Sequence, residues 1–513
     1  MNEDGRQKWI ITFSVMTGTI MASLDASIVN VALPNMRGNL GASVEEITWV
    51  ATAYILSSVI MMPIVAFLSS RFGRRSFYMF CVSLFTLSSM LCGMAWNLGS
   101  IAAFRALQGI GGGALIPIAQ AILRETWPLE EQGTAMGIYG MGVVLGPALG
   151  PTVGGWITDQ YSWPWIFYIN VPVGIVNILL VSRYIHDPPY LVRDRGVIDF
   201  PGLVFLIISL GAFQLMLEKG EQNDWFESMF ITQLAIIASI GFVLFIFREL
   251  TTDRPAVDIR ILKNISFASG TFLSGVLGMG LFGGLFLLPL LLQQLLGYSA
   301  YDSGLALMPR AIAMAITLPV AGRLYNRMGP IFLVGPGLMI IAYSFWELSR
   351  LSLDAGAFNI LIPQFTQGVG FGMIFVALST AALSTIEKPR MQAATGLYNV
   401  VRMIFGSVGI AVAATQLVKG QIRYRAILVE TVTDFSDVTG TWVKSLSALV
   451  VSNGTDPVTA HDKALHLLDM VILRQATMLS FNHVFFLVAS LFLIATPFVL
   501  LLRRGKPSSS ETS

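Results

Sequence analysis

The stretch IITFSVMTGTIMASLDASIVNVALP, residues 10–34, is an apolar run with a single ionisable side chain, Asp25. It is long enough to cross a bilayer as a helix, which takes about 20 residues. Asp25 then lies at hydrocarbon depth, where an ionised carboxylate costs at least about 2.5–3.5 kcal/mol unless it is paired or hydrated. Such a group needs a cationic partner, a water-filled cavity or a proton. The pattern indicates a working residue of a transporter; the alternative is a structural Asp bonded to Ser27 and Asn30.

The composition of the whole chain agrees with a membrane protein. Hydrophobic residues make up 54% of the 513 residues and charged residues 12%, whereas soluble proteins carry about 25% charged residues. The net charge is +2 without a basic block, so nucleic acid is not expected as a partner. Cys81 and Cys92 match neither a disulfide framework nor a metal-ligand spacing, and we expect no metal and no cofactor.

Apolar runs bounded by charge, Pro or Gly predict about fourteen spans and an all-α polytopic fold. We expect an N-terminal six-helix bundle in 1–190, two inserted spans in 191–263 and a C-terminal six-helix bundle in 264–513. The runs lie near 10–33, 47–69, 77–97, 100–123, 134–157, 164–183, 198–217, 229–248, 268–293, 302–323, 330–350, 357–382, 392–416 and 482–502.

Lys and Arg are concentrated in alternate loops. The opposite short loops hold only Arg37, Lys219 and Arg350. The positive-inside rule therefore predicts that both termini are cytoplasmic. The residues on the rich side are Arg6, Lys8, Arg71, Arg74, Arg75, Arg124, Arg183, Arg193, Arg195, Arg248, Arg254, Arg260, Lys263, Arg323, Arg327, Lys388, Arg390, Arg503, Arg504 and Lys506.

A long polar segment, 417–481, precedes the last span and is predicted to be a periplasmic loop. Its stretches 423–432 and 460–478 have apolar residues at helical spacing. We expect an amphipathic cap over the outer mouth, which docks a partner or gates the mouth; the alternative is a solvated loop.

Two glycine-containing motifs are candidates for gating. In AFLSSRFGRR, 66–75, a tight turn requires Gly73 and places Arg71 and Arg74 beside it. In GVVLGPALGPTVGG, 142–155, small residues allow close helix approach, and the prolines favour a bend. The candidate residues of this second motif are Gly146, Pro147, Gly150, Pro151, Gly154 and Gly155.

Helix rise predicts a partner for Asp25. Asp25 lies roughly 12 Å and Arg105 roughly 8 Å below the outer face at ~1.5 Å per residue. We expect Asp25 to cycle between a protonated state and an ionised state that Arg105 stabilises, directly or through Gln108. The alternative is a static Asp25–Arg105 brace.

In the second half, Arg310 and Arg402 lie inside spans, and the only carboxylate there is Glu347 near one end. Membrane arginines need partners, so helix carbonyls, Glu347 or a bound anion are expected, and a purely structural role is the alternative. An interior richer in Arg than in carboxylates suits neutral or weakly acidic hydrophobic substrates. Further candidates for the substrate cavity are Asn30, Gln108, Gln293, Gln364, Gln367, Tyr398 and Asn399.

These motifs resemble the major facilitator superfamily, specifically its fourteen-span drug:proton antiporters of the EmrB/QacA type, and the long loop resembles the EmrB-like permeases. The resemblance implies proton-coupled multidrug efflux by rocking of two bundles. It also implies a bacterial inner-membrane location, with a periplasmic membrane-fusion adaptor and an outer-membrane channel as partners. The family turn usually reads Gly-x-Leu-Ala-Asp-Arg; here Ala66 and Ser70 replace its Gly and Asp, so Arg71 pairs elsewhere or the gate is weaker. A dedicated exporter of a siderophore, fatty acid or peptide is an alternative, and a membrane-embedded enzyme another.

Overall fold

The computed structural model describes residues 3–187, 199–252, 255, 257–430, 432–433, 437–452 and 456–502, and these ranges contain helices and no strand. The expected domain boundary at 190–191 lies outside them, as do Arg193, Arg195, Arg254, Arg503, Arg504 and Lys506 of the rich loops. The N-terminal bundle consists of α1 (Glu3–Leu40), α2 (Val44–Ile47), α3 (Trp49–Phe72), α4 (Arg74–Gly93), α5 (Leu98–Thr126), α6 (Gln132–Gln160), α7 (Trp165–Tyr168) and α8 (Asn170–Tyr184).

Two inserted helices, α9 (Phe200–Lys219) and α10 (Met229–Thr251), follow the N-terminal bundle as a hairpin. Asp199 caps α9 by accepting a hydrogen bond from the Gly202 N–H at 3.3 Å. The hairpin contacts both bundles. The Lys219 ammonium donates to the Thr48 hydroxyl on one side at 2.8 Å, and the Gln214 amide donates to the Ser407 hydroxyl on the other at 2.9 Å.

The C-terminal bundle repeats the plan of the first one. The turn between its second and third spans is made at Gly329, φ +83°, as the matching turn of the first bundle is made at Gly73, φ +86°. Glycine is the residue that adopts this backbone without strain, so the prediction for Gly73 is confirmed. The bundle consists of α11 (Ile265–Leu290), α12 (Ala300–Met328), α13 (Ile331–Leu348), α14 (Ala357–Ser384), α15 (Met391–Glu430), α16 (Asp437–Ser452) and α17 (Pro457–Ala495).

The described residues of the segment 417–481 are mostly helical, so the helical spacing predicted for two of its stretches is confirmed. Helix α15 continues without interruption to Glu430, and α17 begins at Pro457, well before its apolar part. The apolar spacing noted in 423–432 and 460–478 therefore belongs largely to extensions of two spanning helices. Together with α16 they form a helical projection.

Thirteen helical runs of the described residues are long and apolar enough to cross a membrane. Helix α6, with 29 residues, occupies the place of the fifth predicted span. The expected arrangement of two six-helix bundles with two inserted helices is confirmed. We call the end of the bundles at which α1 begins the terminal face. Lys8 of α1 pairs there with Glu131 of the α5–α6 link. The other end is called the opposite face.

Candidate functional site

Asp25 lies inside the N-terminal bundle, with none of its surface exposed. Its carboxylate accepts three hydrogen bonds from three side chains: Arg105 Nη1 at 2.5 Å, Gln108 Nε2 at 2.9 Å and Asn170 Nδ2 at 2.9 Å. Ser27 donates instead to the Pro147 carbonyl. We call Asp25, Arg105, Gln108 and Asn170 the Asp25 cluster. Its members compensate the charge of the carboxylate at hydrocarbon depth.

Arg105 is held as firmly as its partner. Its Nε donates to the Val50 carbonyl at 3.0 Å and its Nη1 also donates to Gln108 Oε1 at 2.7 Å. The guanidinium carbon lies 4.2 Å from the centre of the Tyr54 ring, within range of a cation–π interaction. Arg105 is 1% exposed, so the cluster is closed to solvent in this structure.

The local sequence of α5 brings the cluster together. Arg105 and Gln108 are three residues apart and thus lie on one face of the helix. A Cβ on Gly109 would lie 2.4 Å from the Tyr54 carbonyl oxygen, and one on Gly113 would lie 2.6 Å from the Ser58 backbone. Gly109 and Gly113 are therefore points of close contact of α5 with α3, and Gly111 packs in the same way against Cys81 and Phe85 of α4.

The glycines of the 142–155 motif in α6 pack against α1, the helix that carries Asp25. A Cβ on Gly146 would lie 2.4 Å from the Ser23 hydroxyl, and one on Gly150 would lie 2.6 Å from the Ser27 hydroxyl. Gly154 meets Ile28 in the same way, whereas Gly155 has only Val31 near it. Helix α6 continues through both Pro147 and Pro151.

The α3–α4 turn places Arg74 against the end of α5. Arg74 is 4% exposed and forms two hydrogen bonds with the Glu125 carboxylate, at 2.5 and 3.1 Å. Ser70, which replaces the family Asp, donates to the Phe67 carbonyl. Arg71 is half-buried on the last turn of α3. Glu125 carries no signal in the sequence, because an acidic residue in the last turn of a helix such as α5 is ordinary.

A cavity lies between α6 of the first bundle and the C-terminal bundle, and it is lined by Arg310 and Arg402. Arg310 donates to the Gln367 amide oxygen at 3.2 Å, and Arg402 donates to the Asn399 amide oxygen at 2.7 Å. The side-chain partners are thus amides, and Glu347, one of the three partners expected, instead accepts a hydrogen bond from the Tyr343 hydroxyl. The other lining residues are Val143, Val144, Pro147, Thr152, Leu281, Phe282, Leu285, Gly304, Leu307, Ala311, Met314 and Phe375.

The remaining predicted cavity residues divide into two groups. Four of them are buried in the C-terminal bundle: Tyr398, Asn399, Gln364 and Gln367. Gln364 and Gln367 lie on α14, which packs against the helix α12 that carries Arg310. The orientation of their helices directs the other three side chains away from the cavity. Gln108 belongs to the Asp25 cluster, and Asn30 and Gln293 are exposed and do not line the cavity.

The two bundles are in tight contact at the terminal face. A Cβ on Gly133 of α6 would lie 2.4 Å from the Gly322 carbonyl oxygen of α12. Arg124 of α5 is buried and donates across the boundary to the Thr380 carbonyl at 3.3 Å. The cavity is therefore closed towards the terminal face. Its lining extends towards the opposite face, to Thr152 and Gly304.

Known proteins are similar to this chain in sequence and in fold. Residues 15–410 match the Major Facilitator Superfamily model. The chain is 33% identical over 492 residues to the fatty acid resistance protein FarB of Neisseria gonorrhoeae, covering 96% of this chain and 95% of that protein. It is 32% identical over 494 residues to the multidrug export protein EmrB of Escherichia coli K12, covering 96% and 94%.

Among solved structures, the human organic anion transporter MFSD10 has the same fold. The TM-score is 0.60 at 13% identity, and the match covers 94% of this chain and 99% of that one. At this identity the likeness concerns the fold alone. The family match and the fold neighbour agree with an all-α polytopic protein. The chain belongs to the major facilitator superfamily and, within it, to the EmrB-like permeases.

Proposed function

We propose that the protein is a proton-coupled multidrug efflux permease that exports hydrophobic, neutral or weakly acidic compounds across the inner membrane, with Asp25 as the proton-coupling carboxylate. The observation that carries this proposal is the Asp25 cluster, in which a fully buried carboxylate faces one guanidinium and two amides. The names of the relatives EmrB and FarB support export of drugs and of amphipathic molecules.

The geometry supports the following cycle. In the state with a closed terminal face, Asp25 is ionised and Arg105 links α1 to α5. A proton on Asp25 removes the charge that holds Arg105, so α1 and α5 separate and the bundles rock. Release of the proton into the compartment on the other side of the membrane restores the Asp25–Arg105 pair. Because Asp25 and Arg105 do not line the cavity, proton and cargo take separate routes and are coupled through helix motion.

The proposal includes orientation and partners. We propose that the terminal face is cytoplasmic, so that the cavity faces the periplasm, and that the chain divides into domains 1–190, 191–263 and 264–513. A membrane-fusion adaptor and an outer-membrane channel would continue the route, with the α15–α16–α17 projection as the site of adaptor contact. Crosslinking of a purified adaptor to cysteines introduced along α16 tests the last point.

The test of proton coupling is efflux by Asp25→Asn in proteoliposomes with an imposed pH gradient. Asn is nearly isosteric with Asp and cannot cycle a proton, so gradient-driven export should be abolished while exchange of cargo without a gradient persists. Asp224→Asn, the same change at an exposed position, serves as control. Gradient-dependent export at the wild-type rate by Asp25→Asn would remove Asp25 from the mechanism.

A dedicated exporter of a metabolite, such as a fatty acid, is the second candidate, because FarB is similar over nearly the whole chain. Siderophores and peptides are less favoured, since the cavity lining is mostly apolar. Export profiles decide between the candidates: a dedicated exporter transports one chemical series, whereas a multidrug permease transports unrelated hydrophobic compounds at similar rates.

A further inference from the structure

The central cavity holds two positive charges without a negative one. Arg310 is 5% exposed and Arg402 is 9% exposed, and their hydrogen-bond partners are the neutral amides Gln367 and Asn399. No Asp or Glu lines the cavity among the described residues. Uncompensated charges at such depth are costly, and proteins keep them where a ligand or ion supplies the opposite charge.

Arg402 also has unused donor capacity. Its Nη1 is buried and has no hydrogen-bond partner among the described residues. The other terminal nitrogen, Nη2, is occupied by Asn399 at 2.7 Å. The guanidinium carbon lies 5.1 Å from the centre of the Phe375 ring, which limits its movement on that side. An acceptor within the cavity would satisfy Nη1 and compensate the charge together.

The rest of the lining is apolar. Leu281, Phe282 and Leu285 of α11 and Leu307 and Met314 of α12 provide aliphatic and aromatic surface. Such a wall removes a hydrocarbon body from water, and Met repacks around different shapes. The site therefore combines an apolar wall with two guanidiniums.

We propose that Arg310 and Arg402 form a subsite for the head of an amphipathic monoanion, such as a carboxylate or sulfonate, with its hydrocarbon body on the α11–α12 wall. This inference rests on the proposed function and specifies the charge of the preferred cargo. A free amphipath and an anionic lipid present the same chemistry, and the experiment below distinguishes them.

The subsite is connected to the boundary between the bundles. A guanidinium can only donate, so Arg402 fixes the Asn399 oxygen towards itself. The Asn399 nitrogen then donates to Gln120 Oε1 of the N-terminal bundle at 2.6 Å. Arg402 therefore links the subsite to the boundary between the bundles through Asn399 and Gln120.

The test uses the full chain in nanodiscs of zwitterionic lipid and three labelled probes that share one tail: decane-1-sulfonate, decanamide and decyltrimethylammonium. Binding is measured against empty nanodiscs. Arg310→Gln and Arg402→Gln should each weaken sulfonate binding by about 10- to 100-fold, the usual range for a hydrogen bond to a charged group, and leave decanamide binding unchanged. Arg350→Gln, at an exposed position outside the cavity, should change neither.

A second variant acts in the opposite direction. Asn399→Ala removes the partner that competes for Arg402, so sulfonate should bind more tightly, by about 5-fold for one hydrogen bond. Each variant is first shown to be folded by size-exclusion chromatography. If an Arg→Gln variant does not fold, Arg→Lys replaces it, and a loss of sulfonate affinity without a loss of decanamide affinity is again the expected result.

Equal binding of the three probes by the wild type, or equal losses for sulfonate and decanamide in the variants, would overturn the subsite. The proposed function would survive that result if proton-driven export of a neutral dye persisted. Nanodiscs containing phosphatidylglycerol separate the two sources of the anion. Sulfonate affinity unchanged by this lipid identifies a free amphipath as the ligand, whereas competition by the lipid identifies a lipid head and overturns the assignment to cargo.

Discussion

Replacing Arg105 by Gln tests the energetics of the Asp25 cluster. The substitution removes the one positive charge in contact with the Asp25 carboxylate and leaves the two amide donors, Gln108 and Asn170. Asp25 and Arg105 are 0% and 1% exposed, so water does not replace the lost charge. Removing one partner of such a pair costs about 3–5 kcal/mol, and we expect the variant to lose that much unfolding free energy at pH 8.

The double variant Asp25→Asn/Arg105→Gln separates charge from packing. It removes both charges and keeps amide-sized groups, so part of the loss should be recovered. The double-mutant cycle should give an interaction energy of about 2–3 kcal/mol, the upper range for residues in direct contact.

The assay is reversible unfolding in mixed micelles of mild detergent and dodecyl sulfate, followed by tryptophan fluorescence at pH 8. Wild type, both single variants and the double variant complete the cycle. A loss below about 1 kcal/mol for Arg105→Gln, the level of an exposed ion pair, would refute the reasoning. An interaction energy near zero would do the same, because it would mean that the pair is solvated.

Two further predictions concern glycines. Gly146→Ala should lower the free energy of unfolding by about 1–3 kcal/mol through overpacking, because its Cβ would lie 2.4 Å from the Ser23 hydroxyl. Gly155→Ala on the same helix, with Val31 no nearer than 3.9 Å, should be neutral or should stabilise the protein by up to about 1 kcal/mol through helix propensity. Thermal unfolding of the two variants measures both effects, and equal effects would contradict the packing argument. Gly73→Ala should lose about 1–3 kcal/mol because its φ is +86°, and a wild-type melting temperature for this variant would argue against the turn geometry.

The sequence alone determined the architecture. Spanning helices are recognisable because lipid requires a continuous apolar surface and an internally bonded backbone, both of which are local properties of the chain. The depth of Asp25 follows in the same way from its place in the run 10–34. The level of Arg105 follows from helix rise, and Gly73 follows from the tight turn. None of these inferences depends on how one helix is rotated against another.

Helix rotation and packing decided the rest, and only the tertiary structure supplies them. Each residue turns a helix by about 100°, so a side chain at the right depth can face a partner bundle, a cavity or lipid. Asn30 therefore lies outside the cavity, and Asn170 belongs to the Asp25 cluster. The amide partners of Arg310 and Arg402 depend on contacts between helices that are distant in sequence. The apolar spacing within 417–481 predicts helices, but only the structure shows that two of them are extensions of the spanning helices α15 and α17.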